Sequence, residues 1–478
     1  MSKRKIVFVS GNFNILHPGH LRLLRFAKEL GTYLIVGVNS DRIAGNAALV
    51  NEKLRIEGIQ SNNWVDESFI IDESVTDIIS KIKPDYVVKG KEHEHLFNIE
   101  DSVLNSYGGK LVFSSGEVVF SSMDLIHKVI RQNANSNFKL PEDYLARHSL
   151  TLNNLKETIH QFTSLKVIVI GDIIIDEYIT CDPLGMSQED PTIVVTPVES
   201  KRFLGGAAIV AAHAKGMGAK VNFISIAGND VVKDFAVSNL NDLEVECSIF
   251  VDESRPTTLK QRFRAKGKTL LRVSHLRQGA IDNNLQEAIY NRIIEIIDDC
   301  QLLIFSDFNY GCLPSELVDK IIFYAGRKGI LMVADSQSSS QTGDIGRFND
   351  MILLTPTERE ARLSVRDMES GLVVLAEKLR EKANAQNILL KIGEEGVLVY
   401  TKAYNDTNWI TDRIPALNFL PVDVAGAGDS MLVSSSLSLA TGASIWEAAA
   451  IGSLAAAVQV SRIGNIPLKM NELLREIV

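Results

Sequence analysis

Short apolar runs alternate with amphipathic stretches along almost the whole chain. Residues 5–10, 34–38, 69–71, 86–88 and 110–113 read as strands, with helical stretches such as 21–30 and 75–82 between them. The pattern restarts at 166–172, where Lys-Val-Ile-Val-Ile runs into Gly-Asp. Further strands are expected at 221–226, 302–306, 331–334, 351–354, 388–392 and 396–400, and helices at 209–215 and 431–440. Such alternation predicts parallel sheets covered by helices. Residues 192–203 and 257–273 differ, because they alternate apolar and polar positions. They predict a small antiparallel sheet with one wet face, able to cover a site or form a dimer contact. Residues 131–163 are more polar and read as a linker plus a helix at 152–162. The expected division is a first domain at 1–131, a linker and helix at 132–163, and a second domain at 164–478, which suits a 478-residue chain.

Composition narrows the class. The chain is 45% hydrophobic and 23% charged, as a soluble globular protein is. A net charge of −9 argues against a nucleic-acid surface and gives no support to an anionic membrane partner. The four cysteines are scattered without a CxxC, which points to a reducing compartment and to neither zinc nor disulfides. The first apolar run is too short for a signal peptide, and no run is long enough to span a membrane. A cytoplasmic enzyme is expected.

Two constellations carry chemistry. Gly426, Ala427 and Gly428 precede Asp429 and an apolar helix. Small residues let backbone N–H groups converge on an anion at a helix N-terminus, and a carboxylate there can take a proton from an attacking alcohol. Plain helix capping by Asp429 is the competing reading. Asp172 and Asp176, four apart after a strand, can bind sugar hydroxyls or cap and face solvent. Gly205 and Gly206 allow either a substrate or a packed sheet to approach the backbone. Near the N-terminus, His17 and His20 flank Pro-Gly at a strand–helix turn. Two histidines there can donate to a phosphate whose charge rises during displacement, or form part of a metal pair.

Residues 11–20 resemble the H-x-G-H motif of the nucleotidyltransferase superfamily, and the likeness extends over about residues 5–131. Val38-Asn39-Ser40-Asp41, Arg55 with Lys53 as a second candidate, Asp85-Tyr86-Val87-Val88-Lys89-Gly90 and Phe120-Ser121-Ser122-Met123 continue it. The resemblance implies a Rossmann-like α/β domain in which a substrate phosphate attacks the α-phosphate of ATP or CTP. His17 and His20 would be catalytic. Gly11, Phe13, Asn39, Asp41, Arg55, Lys89, Gly90, Ser121 and Ser122 would bind nucleotide and phosphate. Asn14 stands where relatives carry Asp, and Met123 replaces a Thr.

From about residue 152 onward the chain resembles the ribokinase family of carbohydrate kinases, through Gly205-Gly206 and Asp423–Asp429. It is most similar to the heptose 7-phosphate kinase half of bifunctional ADP-heptose synthases, with the two halves in reversed order. The resemblance implies a ribokinase-like α/β domain with a small β-sheet lid. Asp429 would be the base, Gly426, Ala427 and Gly428 the anion hole, and Glu360 the magnesium-motif carboxylate. Lys391, Gly393 and Gly396 would bind nucleotide, and Asp172, Asp176, Gly205, Gly206, Lys260 and Arg262 the substrate. The implied ligands are Mg2+, ATP and a sugar or sugar phosphate, and a homodimer is expected. Several positions depart from the family pattern. Thr357 replaces the Asn of the magnesium motif, Ile209 an Asn and Ser274 an Asp. Asp335-Ser336-Gln337 stands for Asp-Pro-Lys, and Asp307–Gly311 lacks a Lys. Two outcomes follow: a bifunctional kinase and nucleotidyltransferase making an ADP- or CDP-activated sugar for surface polysaccharide, or a nucleotidyltransferase with a weak kinase-like half kept for dimerisation or regulation.

Overall fold

The structure, a computed structural model, describes residues 4–14, 16, 18–48, 50–90, 98–113, 138–187, 189–190, 192–265, 268–338, 343–402 and 410–477. The chain divides into two compact units, Met1–Ser136 and Asn137–Val478.

In the first unit, β1 (Ile6–Gly11), β2 (Tyr33–Asn39), β3 (Glu67–Ile71), β4 (Tyr86–Lys89) and β5 (Lys110–Phe113) form one sheet in the order β3-β2-β1-β4-β5. Every pairing is parallel, so every strand ends at the same edge. Val7, Val9, Leu24 and Val36 are buried on one face, and Phe8, Ile35, Ile71 and Ile79 on the other. The near-continuous apolar strands are what a sheet covered on both faces requires.

The second unit contains β6 (Lys166–Gly171), β7 (Ile173–Met186), β8 (Ile193–Gly206), β9 (Lys220–Ala227), β10 (Glu246–Val251), β11 (Thr258–Ala265) and β12 (Lys268–His275). They are followed by β13 (Leu302–Asp307), β14 (Leu331–Ser336), β15 (Leu353–Leu354), β16 (Asn387–Lys391), β17 (Val397–Thr401) and β18 (Ile410–Ile414). The large sheet runs β10-β9-β6-β13-β14-β15-β16-β17-β18, parallel from β10 through β16 and antiparallel at β17 and β18. The expected strand at 351–354 shrinks to Leu353–Leu354.

The lid differs from expectation. It is a four-stranded sheet, β12-β11-β7-β8, and not a purely antiparallel one, because β7 pairs parallel to β11. The added strand is β7, which leaves β6 through a single residue, Asp172. The stretch read as linker and helix packs on the second unit. Tyr144, Leu145, Leu155, Ile159 and Phe162 belong to its buried core. Tyr144 donates to the Trp446 carbonyl at 2.9 Å, and Arg147 and His148 bind Asp412.

Candidate active site

In the second unit, β6, β13, β14 and β16 deliver Asp172, Asp307, Asp335 and Lys391 to the C-terminal edge of the sheet, where open α/β sheets bind ligands. The helix Ala427–Ala440 starts at this edge, behind Gly426 in the left-handed region at φ 77°. A Cβ at Gly426 would lie 2.5 Å from Asn465 Oδ1, so the close approach as well as the turn requires glycine. Asp429 lies in the first helical turn with 6% of its surface exposed. Burial pushes its carboxyl up to about 7; the charges of Asp335 and Asp176 push the same way, while Lys391 and Lys260 oppose them. These five ionisable groups share one electrostatic environment, and a carboxyl near 7 suits proton transfer at neutral pH. The Gln337 amide lies 3.5 Å from Asp429 Oδ1.

The lid supplies the facing residues. Asp176 on β7 stands in register with Lys260 on β11. Its carboxylate accepts from Arg262 at 3.2 Å and from the Asn465 amide at 3.3 Å. Gly205 lets it in, since a Cβ there would meet Asp176 Oδ2 at 2.5 Å. The Lys260 ammonium lies 5.1 Å from the Phe308 ring centroid and 5.0 Å from that of Tyr310, within cation–π range. Gly206 turns the chain at φ 57° into the helix Ala207–Gly216.

Asp172, expected beside Asp176 as a hydroxyl ligand, is engaged by the protein's own backbone. It accepts backbone N–H bonds from Phe308 at 2.8 Å, Tyr310 at 3.2 Å and Cys312 at 3.1 Å. Burial and the neighbouring Asp307 raise it to about 6, against those three bonds. It is a clamp on the loop after β13. Glu360 is also engaged locally. It accepts from Thr357 N–H at 2.7 Å and Ser338 N–H at 3.1 Å, and Thr357 caps the helix Glu358–Val365 in return. Threonine at 357 therefore preserves the cap. Gly393 and Gly396 sit in the turn between β16 and β17, at φ 64° and 95°. Asn465 was not singled out from the sequence. Its Oδ1 is buried and has no hydrogen-bond partner among the described residues.

In the first unit, Gly11, Asn39, Lys89 and Gly90 end β1, β2 and β4 at one edge. Phe13, at φ 47°, presents its ring edge-on to His20, with centroids 5.0 Å apart. Asn39 donates to Asn12 at 2.8 Å, and its own Oδ1 is buried without a partner among the described residues. Both cations expected at the phosphates, Arg55 and Lys89, have partners within the protein. Arg55 is buried and bonds the carbonyls of Val50 and Asn12 and the carboxylate of Asp41. Lys89 pairs with Glu100 at 2.9 Å. Lys53, the second candidate, is exposed on the same helix as Arg55. His17, Ser121 and Ser122 lie outside the described residues.

A parallel sheet with a β lid, and a buried carboxylate at a helix N-terminus beneath it, define the second unit as a carbohydrate-kinase domain. The pfkB family carbohydrate kinase model matches residues 164–471, and the chain belongs to that family. A cytidylyltransferase-like family model matches residues 8–108. Bifunctional protein HldE of Helicobacter hepaticus is 30% identical over 319 residues, covering 66% of this chain and 64% of that protein. The protein of the same name from Desulfatibacillum aliphaticivorans is 29% identical over 327 residues, covering 66% and 65%. The chain thus spans just under two thirds of the length of these relatives. Phosphofructokinase-2 of Escherichia coli superposes with a TM-score of 0.54 at 17% identity, covering 66% of this chain and 97% of that one. Ribokinase of Thermotoga maritima superposes with a TM-score of 0.52 at 22% identity, covering 66% and 99%. Among the described residues no helix is long and apolar enough to cross a membrane.

Proposed function

We propose that the chain is a bifunctional enzyme. Its second unit phosphorylates a sugar or sugar phosphate from ATP, and its first unit couples a sugar phosphate to a nucleotide with release of pyrophosphate. The product is an ADP-heptose-like or CDP-linked sugar for surface polysaccharide. The observation that carries this reading is Asp429, buried at a helix N-terminus behind Gly426, Ala427 and Gly428, where the charges of Lys391 and Asp176 both bear on it. Asp429 takes the proton of the substrate hydroxyl, and the amides of the turn receive the transferring phosphoryl group. Asp176 and Lys260 hold the substrate under the lid. The two relatives named bifunctional, and the order of the two family matches, support joining the activities in one chain.

Magnesium fits this donor set as an ion carried by the triphosphate. Among the described residues no three His, Cys, Asp or Glu converge to hold a metal alone. Asp335 and Glu360 offer the hard oxygen ligands that magnesium takes beside phosphates and water. When bound, the ion neutralises charge on the phosphates. The four cysteines are unpaired, which fits a reducing, cytoplasmic setting.

A screen of nucleoside triphosphates against sugar 1-phosphates, read by pyrophosphate release, tests the first unit. Turnover is expected with ATP or CTP and is expected to fall at least 100-fold in His17→Ala and His20→Ala. Release that survives both substitutions intact would sink the nucleotidyltransferase reading. ADP release across a panel of sugars and sugar phosphates tests the second unit.

We propose a homodimer that meets at the lid, where Leu184, Met186, Ile193 and Val198 are each more than half exposed. Apolar residues at this density mark a contact surface, and a second lid offers a matching one. Light scattering should show a dimer that Met186→Lys with Ile193→Lys converts to monomer. A wild-type monomer at micromolar concentration would refute this placement.

A further inference from the structure

We infer that Lys391 is a catalytic cation of the kinase centre, donating to the transferring phosphoryl group, with Asp335 as its resting counter-ion. The inference rests on the kinase reading above and adds a residue role to it.

Three observations converge. First, the ammonium is withheld from solvent, with 13% of its side chain exposed, yet it stands at the ligand-binding edge of the sheet. Second, both contacts to Asp335 measure 3.1 Å. An ammonium carries three protons, so these two contacts leave it a donor for a phosphate oxygen. Third, the ammonium lies against the turn that precedes the base: a Cβ added at Gly428 would sit 3.1 Å from Nζ. Lys391 and Lys260 are the cations among the leading charges on Asp429. Lys260 belongs to the lid, and Lys391 to the main sheet.

The position also accounts for a missing charge. Residue 337, just past the end of β14, is Gln where the resembling kinases carry Lys. β16 lies two strands away along the same parallel edge, separated from β14 only by the two residues of β15. From its end Lys391 reaches the Asp335 that precedes Gln337. Lys391 thus brings a cation to the carboxylate beside which residue 337 carries none.

In the transfer step the substrate hydroxyl oxygen forms a bond to the γ-phosphorus, and its proton passes to Asp429. The bond from phosphorus to the β,γ-bridging oxygen breaks, and its electron pair leaves with ADP. Lys391 donates hydrogen bonds to the phosphoryl oxygens throughout and keeps its protons.

Lys391→Met and the double variant Lys391→Met with Gln337→Lys test this in the full chain. Calorimetry with a non-hydrolysable ATP analogue should show about tenfold weaker binding in Lys391→Met, while AMP, which has no β or γ phosphate, binds as it does to wild type. Sugar-dependent ADP release should fall at least 100-fold and recover at least tenfold in the double variant, which puts a lysine at 337, where the present amide lies 3.5 Å from Asp429. Equal loss of analogue and AMP binding, or no loss of either, would overturn the inference. Asp429→Asn in the same assay separates the two ideas. If it is inactive while Lys391→Met turns over normally, the kinase reading stands and the role of Lys391 falls. If wild type itself gives no sugar-dependent ADP, the kinase reading falls and the role with it, and calorimetry then reports only whether Lys391 contacts the outer phosphates.

Discussion

Asp429→Asn is expected to lower sugar-dependent ADP release by about 10³-fold, within the range general-base removal produces, while ATP affinity stays within about threefold. The carboxyl must be ionised to accept the hydroxyl proton. In wild type, kcat/KM should therefore fall about tenfold per pH unit below about 7, where burial has placed this group. The same burial gives a stability signature. The folded-state value lies well above the ordinary 3.8 of the unfolded chain, so the folded protein binds the extra proton. The stabilisation from that proton is complete below pH 3.8 and is lost as pH rises through 7. Asparagine does not titrate. The variant should melt above wild type at pH 8, and the gap should be about 2–3 kcal/mol narrower at pH 5. A pH-independent gap would mean that Asp429 is solvated and no poised base.

Asp172→Ala should destabilise the second unit by about 4 kcal/mol, because it strands three buried N–H groups at once. Asp172→Asn should lose about half as much, since the amide keeps one acceptor oxygen. Urea unfolding of the full chain, followed by a probe in the second unit, reads both values. The loop Phe308–Cys312 also carries the rings under Lys260, so activity should fall along with stability. If Asp172→Ala leaves the unfolding midpoint unchanged and raises only the KM for sugar, Asp172 is a hydroxyl ligand after all and the clamp is wrong.

The main strands were legible because buried parallel strands are apolar along their whole length, as at Val167–Ile170 and Leu302–Phe305. β7 was hidden because its second half, around Asp182, Pro183 and Gly185, is exposed and rich in turn residues. The glycine turn before Asp429 announced itself, since chemistry and conformation are written in consecutive residues. The ties of Arg55 were not legible, because its partners, Asn12 and Asp41, come from elsewhere in the chain, and local sequence shows a free cation where the fold ties one down. Lys391 and Asp335, 56 residues apart, meet only once the sheet is assembled. Asn465 carried no local sign beyond a Gly-Asn turn.

The packing of residues 138–165 has a practical reach. Their side chains fill the same core as the helix Ile445–Gln459, and Thr158 donates to the buried Glu447. The family match starts only at residue 164. An expression boundary drawn there would strip Tyr144, Leu155 and Ile159 from the core and leave a greasy, aggregation-prone wound. The portable kinase module begins near residue 138, and gene fusions that shuffle this module must carry those residues with it.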